Sequence, residues 1–421
     1  MLGNKRRGTK GFMPNTPTIL VTDTSRGSSI AIIRSLGRKG WRVIAADSCS
    51  NSLGFYSQYA SANLVYPPPD SAPDEFFDAL LDVAQVQSVD LVIPVTDEVI
   101  LPLSADRARF KGVSKLALPG QRTLELVTNK CKTLDLAQRL KVPCPKTFVI
   151  HSVEEACKQA PELGWPLVLK PQFSRLYRNQ HGIEKFSVSY AQDVDDLAVQ
   201  VSHLEGRCPV LLQEYYSGIG EGVELLMCQG EPIAGFQHRR LREFPLHGGP
   251  SAFRESVDVD PEMWEYAVSM LREMNWTGLA MVEFKTGSDG PKLMEINGRV
   301  WGSLPLAVLS GMDFPAKLVD MYLSGPPEMK NGPDLSYVRG VRARNVQLDI
   351  LWIASVLGGI NKYPFFEMPK RGQGIKALLE LFNPAYKDDI LSLEDPRPGL
   401  VQIPRVFENL YDKVSKVLRG A

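Results

Sequence analysis

A chain of 421 residues with 44% apolar residues can bury several cores, and roughly two to four domains is the expected count. Forty-eight basic and 48 acidic residues leave no net charge, which argues against a general nucleic-acid or membrane-surface binder, since either needs a field of one sign. The six cysteines (Cys49, Cys131, Cys144, Cys157, Cys208, Cys228) form no CxxC pair, so free thiols in a reducing, cytoplasmic setting are expected, and a zinc site is not. No apolar run approaches the ~18 residues that a membrane span needs.

Residues 1–16 read as a flexible basic tail without the apolar stretch of a signal peptide. Thr18–Thr22 is then a buried strand, Ile30–Lys39 has helical spacing, and Trp41–Ala46 is a second strand. The turn Asp23–Ser29 between strand and helix is rich in small residues, as in dinucleotide-binding βαβ units, but it lacks GxGxxG, so a structural α/β unit is favoured over a nucleotide site there. Asp74–Val86 reads as a helix and Asp90–Pro94 as a strand, followed by Asp97-Glu98. Acids at that point either face a ligand at the C-terminal end of the sheet or begin a helix, where the macrodipole favours them; the second reading is preferred.

Gln121–Leu140 is helix-rich and carries Asn129-Lys130; a strand at Thr147–Ile150, a helix at Val153–Gln159 and a strand at Trp165–Pro171 follow. Lys170 ends that strand among apolar residues, so its ammonium must snorkel or meet an anion. Val210–Tyr216 and Gly222–Met227 are strands separated by a glycine crossover, with Glu214, Tyr215 and Tyr216 placed to read a flat base and Glu221 to accept ribose hydroxyls; the tyrosines also fit an ordinary sheet. Pro232–Gln237 continues into His238-Arg-Arg-Leu-Arg242. Strand alternation puts His238, Arg240 and Arg242 on one face and Arg239 on the other. The cluster suits an anionic group, or else protects a sheet edge. Pro261–Met274 is a helix, Leu304–Met312 and Pro315–Leu323 are helical, and Gly325-Pro-Pro327 is a boundary. Beyond it the helical stretches Leu348–Leu357, Ile375–Phe382 and Val406–Leu418, with a turn at Asp395–Pro398, show no catalytic constellation; a packing or oligomerisation role is expected.

The most informative stretch is Met281–Gly302. Leu279–Lys285 and Lys292–Ile296 read as a hairpin. If Thr286 pairs with Lys292, Glu283 lies opposite Glu295, with Asn297 on the same face. Two carboxylates placed cross-strand repel unless a cation lies between them, and carboxylate and amide oxygens suit Mg²⁺. The plain alternative is a surface hairpin screened by Lys285 and Lys292.

In this order the segments resemble the ATP-grasp superfamily of ligases over Thr18–Gly325, in particular the branch of carbamoyl-phosphate synthetase large subunits and biotin carboxylase, and predicted carboligases within it. The resemblance rests on Asn129-Lys130, Val168–Pro171, Gln213–Tyr216 with Glu221, Met281–Phe284 and Glu295-Ile-Asn-Gly-Arg299. It implies an α/β and α+β fold: a pre-ATP-grasp α/β domain at 17–115, ATP-grasp lobes at 116–208 and 209–326, and a mostly helical extension at 327–421. It further implies ATP phosphates on Lys130 and Lys170, adenine at Glu214, Tyr215 and Tyr216, ribose on Glu221, and two Mg²⁺ ions (Mn²⁺ as substitute) on Glu283, Glu295 and Asn297. Arg299, with Arg240 and Arg242, would meet the transferred phosphoryl group or the acyl substrate. Two departures stand out: Gly298 replaces a frequent proline, and Ser174–Gly182 replaces a glycine-rich phosphate loop, leaving Arg175, Arg178 or His181 to reach the phosphates.

The expected activity is ATP- and Mg²⁺-dependent conversion of a carboxylate to an acyl phosphate, captured by an amine or another nucleophile with release of ADP and phosphate. The expected partners are these small molecules, with neither nucleic acid nor membrane, and a homodimer is compatible. The alternatives are bicarbonate activation through carboxyphosphate and a non-catalytic nucleotide-binding scaffold.

Overall fold

The computed structural model describes residues 16–178, 182–328, 332–361, 363 and 365–418. The tail 1–15 and His181 lie outside them. The first sheet is built from β1 (Thr18–Val21), β2 (Arg42–Asp47), β3 (Ala62–Val65), β4 (Leu91–Ile93) and β5 (Lys115–Leu116), with helices α1 (Gly27–Arg38), α2 (Pro73–Val86) and α3 (Asp97–Ala105) between strands. All its pairings are parallel, in the order β3-β2-β1-β4-β5. Its strands are apolar on both faces, as a sheet covered by helices requires. Asp97 and Glu98 do begin a helix.

The expected helical stretch Gln121–Leu140 is two helices, α4 (Gln121–Thr128) and α5 (Lys130–Arg139). Asn129 separates them because its side chain accepts from the N–H groups of Cys131 (3.1 Å) and Lys132 (3.2 Å), an N-cap that a continuous helix would forgo. A second sheet follows, from β6 (Thr147–Ile150), helix α6 (Val153–Gln159), β7 (Leu167–Pro171), the small hairpin β8 (Arg175–Tyr177) and β9 (Ile183–Lys185), β10 (Ser189–Ala191), helix α7 (Val194–Ser202) and β11 (Val210–Glu214). Its order is β10-β7-β11-β6, with β8 and β9 paired apart from it.

The largest sheet contains β12 (Ile219–Cys228), β13 (Glu231–Glu243), β14 (Ser251–Val257), β15 (Gly278–Gly287) and β16 (Gly290–Asn297), with helix α8 (Pro261–Glu273) between β14 and β15. Helices α9 (Leu304–Leu309) and α10 (Phe314–Ser324), β17 (Arg342–Arg344), α11 (Val346–Gly358), α12 (Arg371–Glu380), β18 (Lys387–Asp388) and α13 (Pro396–Leu418) complete the chain. The sheet order is β16-β15-β12-β13-β14-β17-β18, so the C-terminal region, besides its helices, extends the large sheet by two strands. One apolar core joins Ile19, Val21 and Val43 of the first sheet to Phe236, Trp301 and Phe314 around the large one. A second core, including Val223, Val282, Phe284, Met263 and Leu271, lies between the large sheet and α8. The expected turn at Asp395–Pro398 is instead the start of α13, where Pro396 lacks only an N–H that a first helical turn leaves unbonded anyway. Asp395 before it accepts from Arg34 Nε (3.0 Å), Ser57 Oγ (2.7 Å) and the N–H of Gln58 (2.9 Å), fastening the C-terminal region to α1. Among the described residues the six cysteines are free, and no helix is long and apolar enough to cross a membrane.

Candidate active site

The acidic hairpin closes more tightly than expected. Gly287 pairs with Gly290, so the loop is Ser288-Asp289, and Thr286 faces Pro291 where Lys292 was expected. Gly290 takes φ +87°, which favours glycine. That register alone would misplace the acids. A bulge between Phe284 and Glu283 shifts it back by one residue, so that Glu283 lies opposite Glu295 and Met281 opposite Asn297. Met294 is the extra residue, and its carbonyl accepts from Lys170 Nζ at 3.4 Å. On the far face Val282, Phe284, Leu293 and Ile296 enter the α8 core, which holds the carboxylate face toward a cleft of about 860 Å³.

Within that cleft the charges are unequally partnered. Glu283 accepts from Arg240 Nη2 (2.5 Å) and from Asn297 Nδ2 (2.7 Å). Arg240 also reaches Glu243 (3.0 Å) and the Gly249 carbonyl (3.3 Å). Burial would lower its pKa, but Glu283 and Glu243 raise it above the usual arginine value. The Glu295 carboxylate has no hydrogen bond or ion pair among the described residues. Burial would raise its pKa; the fields of Lys130, Lys170, Arg299 and Arg240 outweigh that and hold it below the usual glutamate value. Conversely, burial brings Lys170 down to about 8 against the pull of Glu295. Lys130 Nζ donates to Ser174 Oγ (2.6 Å) in a neighbouring recess of about 300 Å³ that shares Lys170, Glu295, Asn297 and Arg299 with the main cleft. The two lysines are brought near by a backbone clasp, Lys130 N–H to the Gln172 carbonyl at 3.0 Å. Arg299 donates through Nε to Asp97 (3.0 Å) and through Nη1 to the Val300 carbonyl (3.1 Å). Burial opposes its charge, while Asp97 and Glu295 raise its pKa.

Glu214, Tyr215 and Tyr216 also line the cleft. Lys292 ion-pairs with Glu214 (3.1 Å) and lies 4.2 Å from the centre of the Tyr216 ring, whose hydroxyl donates to the Gly290 carbonyl (2.7 Å). Lys285 stands 5.5 Å from the Tyr215 ring.

The structure does not bring Glu221 or Arg242 into this group. Glu221 accepts from Thr286 Oγ1 (2.9 Å) and Gln237 Nε2 (3.0 Å), side chains of neighbouring strands on the face away from the cleft. Arg242 departs from the expected alternation. The β13–β14 register slips at Leu241, so Arg240 pairs with Arg254 but Arg242 pairs with Phe253, on the opposite face. There Arg242 bonds Asp349 (2.6 Å) and Glu380 (2.7 Å) under the Phe253 ring, as a strut to α11 and α12. His238, expected beside Arg240 and Arg242, is fully buried at 2.9 Å from Glu224. In the atypical segment Arg175 lines the cleft and bonds Glu98 (2.8 Å), whereas Arg178 bonds Glu184 (3.1 Å). Residues that the sequence did not single out complete the walls, among them Arg26 at the start of α1 and Asp389, Gln402 and Arg405 near the C-terminus.

Residues 207–345 match the family model described as ATP-grasp in the biosynthetic pathway with Ter operon. An ADP complex of N5-carboxyaminoimidazole ribonucleotide synthetase superposes with a TM-score of 0.61 at 12% identity, covering 88% of this chain and 97% of that one. The chain has an ATP-grasp fold. Other ATP-grasp neighbours are biotin carboxylase from Campylobacter jejuni (TM-score 0.55, 18% identity, 72% of this chain and 70% of that one) and L-amino acid ligase from Bacillus licheniformis (0.57, 15%, 74% and 75%). In sequence, the carbamoyl phosphate synthase large chain of Mesorhizobium japonicum is 24% identical over 272 residues, 59% of this chain and 23% of the relative. That of Saccharolobus islandicus is 22% identical over 224 residues, 48% and 21%. The chain thus matches less than a quarter of the length of those relatives.

Proposed function

We propose that this ATP-grasp protein is an ATP- and Mg²⁺-dependent ligase that activates a carboxylate as an acyl phosphate and passes the acyl group to an amine. The carrying observation is Glu295, a carboxylate held ionised among four cationic side chains, opposite Glu283 and facing an open cleft. The donor set fits a hard divalent ion: two carboxylates and an amide from adjacent strands, with Glu295 unpartnered and Glu283 shared with Arg240, which a cation would have to displace in part. When bound, the ion supplies charge neutralisation for the nucleotide's β- and γ-phosphates. Lys130 and Lys170 hold phosphate oxygens as point charges, and Glu214, Tyr215 and Tyr216 frame the base.

Arg299, fixed by Asp97, orients the substrate carboxylate. One carboxylate oxygen attacks the γ-phosphorus in line, the bond to the β–γ bridging oxygen breaks, and ADP leaves. The amine then attacks the acyl carbon, the C–O bond to phosphate breaks, and the nitrogen loses a proton to solvent. Bicarbonate in place of the carboxylate gives carboxyphosphate by the same first step. Arg299 accommodates it equally, and the likeness to biotin carboxylase favours keeping that arm in the test.

The test is ATP-dependent phosphate release with pooled carboxylic acids and amines, with and without bicarbonate, followed by mass spectrometry of the condensed product. Release that Glu295→Gln abolishes, in a variant that still folds, is expected. Normal turnover in that variant overturns the site. Bound nucleotide with no release from any pool leaves a scaffold.

A further inference from the structure

The two ends of the Arg240 guanidinium are held differently. Nη1 donates to Glu243 (3.0 Å) and to the Gly249 carbonyl (3.3 Å), whereas Nη2 donates to Glu283 (2.5 Å). The first end rests in a built seat. A Cβ at Gly220 of β12 would come within 2.6 Å of Glu243 Oε1 and 2.9 Å of Arg240 Cδ, so the bare backbone there is what lets the pair lie against the strand. Both side chains are mostly buried, and they line the cleft together with Gly220, Gly249 and Glu283.

The second end occupies an oxygen that a metal ion would need. Glu283 gives Oε1 to Asn297 and Oε2 to Arg240, and a guanidinium and a divalent cation at one oxygen repel each other. The neighbourhood also sets what Nη2 would meet once it lets go. Lys285 lines the cleft in the field of Glu243 and has no hydrogen bond or ion pair among the described residues. With Glu283 given to a cation, Arg240 and Lys285 share the single carboxylate of Glu243. That leaves an excess positive charge facing the cleft beside the metal ligands, where an anion is favoured.

We propose that Arg240 is a clamp for the anionic substrate that metal binding releases, and that Glu243 is the positioning residue that makes the release possible. A divalent ion takes Glu283 Oε2, Glu243 and the Gly249 carbonyl keep Nη1 in its seat, and Nη2 turns to an oxygen of the carboxylate or bicarbonate being activated. Resting on the metal ligands of the ligase reading above, this adds an order to it: metal and nucleotide bind before the acyl substrate. Metal and anion also strengthen each other's binding, because both favour the state in which Arg240 has left Glu283.

The test uses the full chain without turnover: Mn²⁺ is the metal probe, its free concentration read by electron paramagnetic resonance, and sulfate is the anion probe. Arg240→Lys keeps the charge but lacks the planar fork that joins Glu243 to Glu283. It should bind Mn²⁺ about tenfold more tightly than wild type, the equivalent of one charge-assisted hydrogen bond that the ion no longer has to break. Arg240→Met should bind the ion at least as tightly. Glu243→Gln should weaken Mn²⁺ about fivefold, because Arg240 then has Glu283 as its one carboxylate. Saturating sulfate should raise the Mn²⁺ affinity of wild type about tenfold and that of Arg240→Met by about twofold or less. An Arg240 that acts only as a strut or a fixed charge leaves Arg240→Lys equal to wild type, and that result overturns the proposal. An equal sulfate gain in wild type and Arg240→Met overturns it too. Mn²⁺ bound by none of the four proteins removes the metal site and the clamp with it. A chain that shows the expected Mn²⁺ pattern but fails to bind a fluorescent ATP analogue, or releases no phosphate from any pool, refutes the ligase reading and leaves the clamp standing.

Discussion

Glu295 and Lys170 set each other's charge, and Glu295→Gln exposes that coupling. Lys170 is lowered to about 8 although Glu295 pulls it upward; the groups acting on it are burial, Glu295, Lys130, Lys285 and Glu283. Losing an opposite charge lowers an ammonium's pKa by about one unit, so Lys170 should lose its proton about one pH unit earlier in the variant. A neutral lysine cannot hold a phosphate as a point charge, so affinity falls as pH rises through the free-protein pKa, about tenfold per unit. Measured with ATP in EDTA, which removes the metal from the comparison, wild type should weaken above pH ~8 and the variant from pH ~7. At low pH the variant should bind metal-free ATP more tightly than wild type, because Lys170 is charged in both and a carboxylate that repels phosphate is gone. Between pH 6 and pH 8 the variant should lose about fivefold more affinity than wild type. Parallel curves across pH 6–9 would refute the coupling and leave Lys170 a structural group.

Arg242→Met tests the move of that arginine from catalysis to scaffold: Asp349 and Glu380 lose their shared partner, and the denaturant midpoint should fall by an amount equal to about 3 kcal/mol. Phosphate release per folded molecule should be unchanged; a selective loss of turnover would restore a catalytic role. Glu221→Gln, on the face away from the cleft, should change affinity for the fluorescent ATP analogue by no more than about twofold, roughly 0.4 kcal/mol. A loss of tenfold or more would show that this carboxylate turns to the ribose when nucleotide binds.

The hairpin was legible because its information is local. Alternation along two strands and a short turn fix which side chains share a face, and the sequence carries both. The expected pairing of Thr286 with Lys292 was nonetheless off by one at the turn, and the Met294 bulge restored the acids to register. Bulges depend on the packing of neighbouring strands, so the same device was invisible at Leu241, where it moved Arg242 to the other face and spoiled an alternation argument of the same kind. Asn129 could have been recognised as a cap from its residue type alone. The face that Glu221 takes was hidden for a different reason: its side of β12 is set by the β13 and β15 registers, which span a glycine crossover with no local signal.

The cleft wall supplied by the C-terminal region was illegible for a deeper reason. Arg26, Asp389, Gln402 and Arg405 come from the two ends of the chain and share a wall because Asp395 bonds Arg34 and Ser57, Glu394 pairs with Arg38, and Ile390 and Val401 pack against Ile30 and Leu53. No periodicity records a contact across more than 300 positions. The family match, residues 207–345, contains the hairpin and the arginine cluster but neither Arg26 nor Gln402. The phosphate contacts of the proposed mechanism also reach outside that match, to Lys130 and Lys170. A change in the Asp395–Arg34 contact would be felt at that wall before it reached Glu295, whose strand is held by the α8 core.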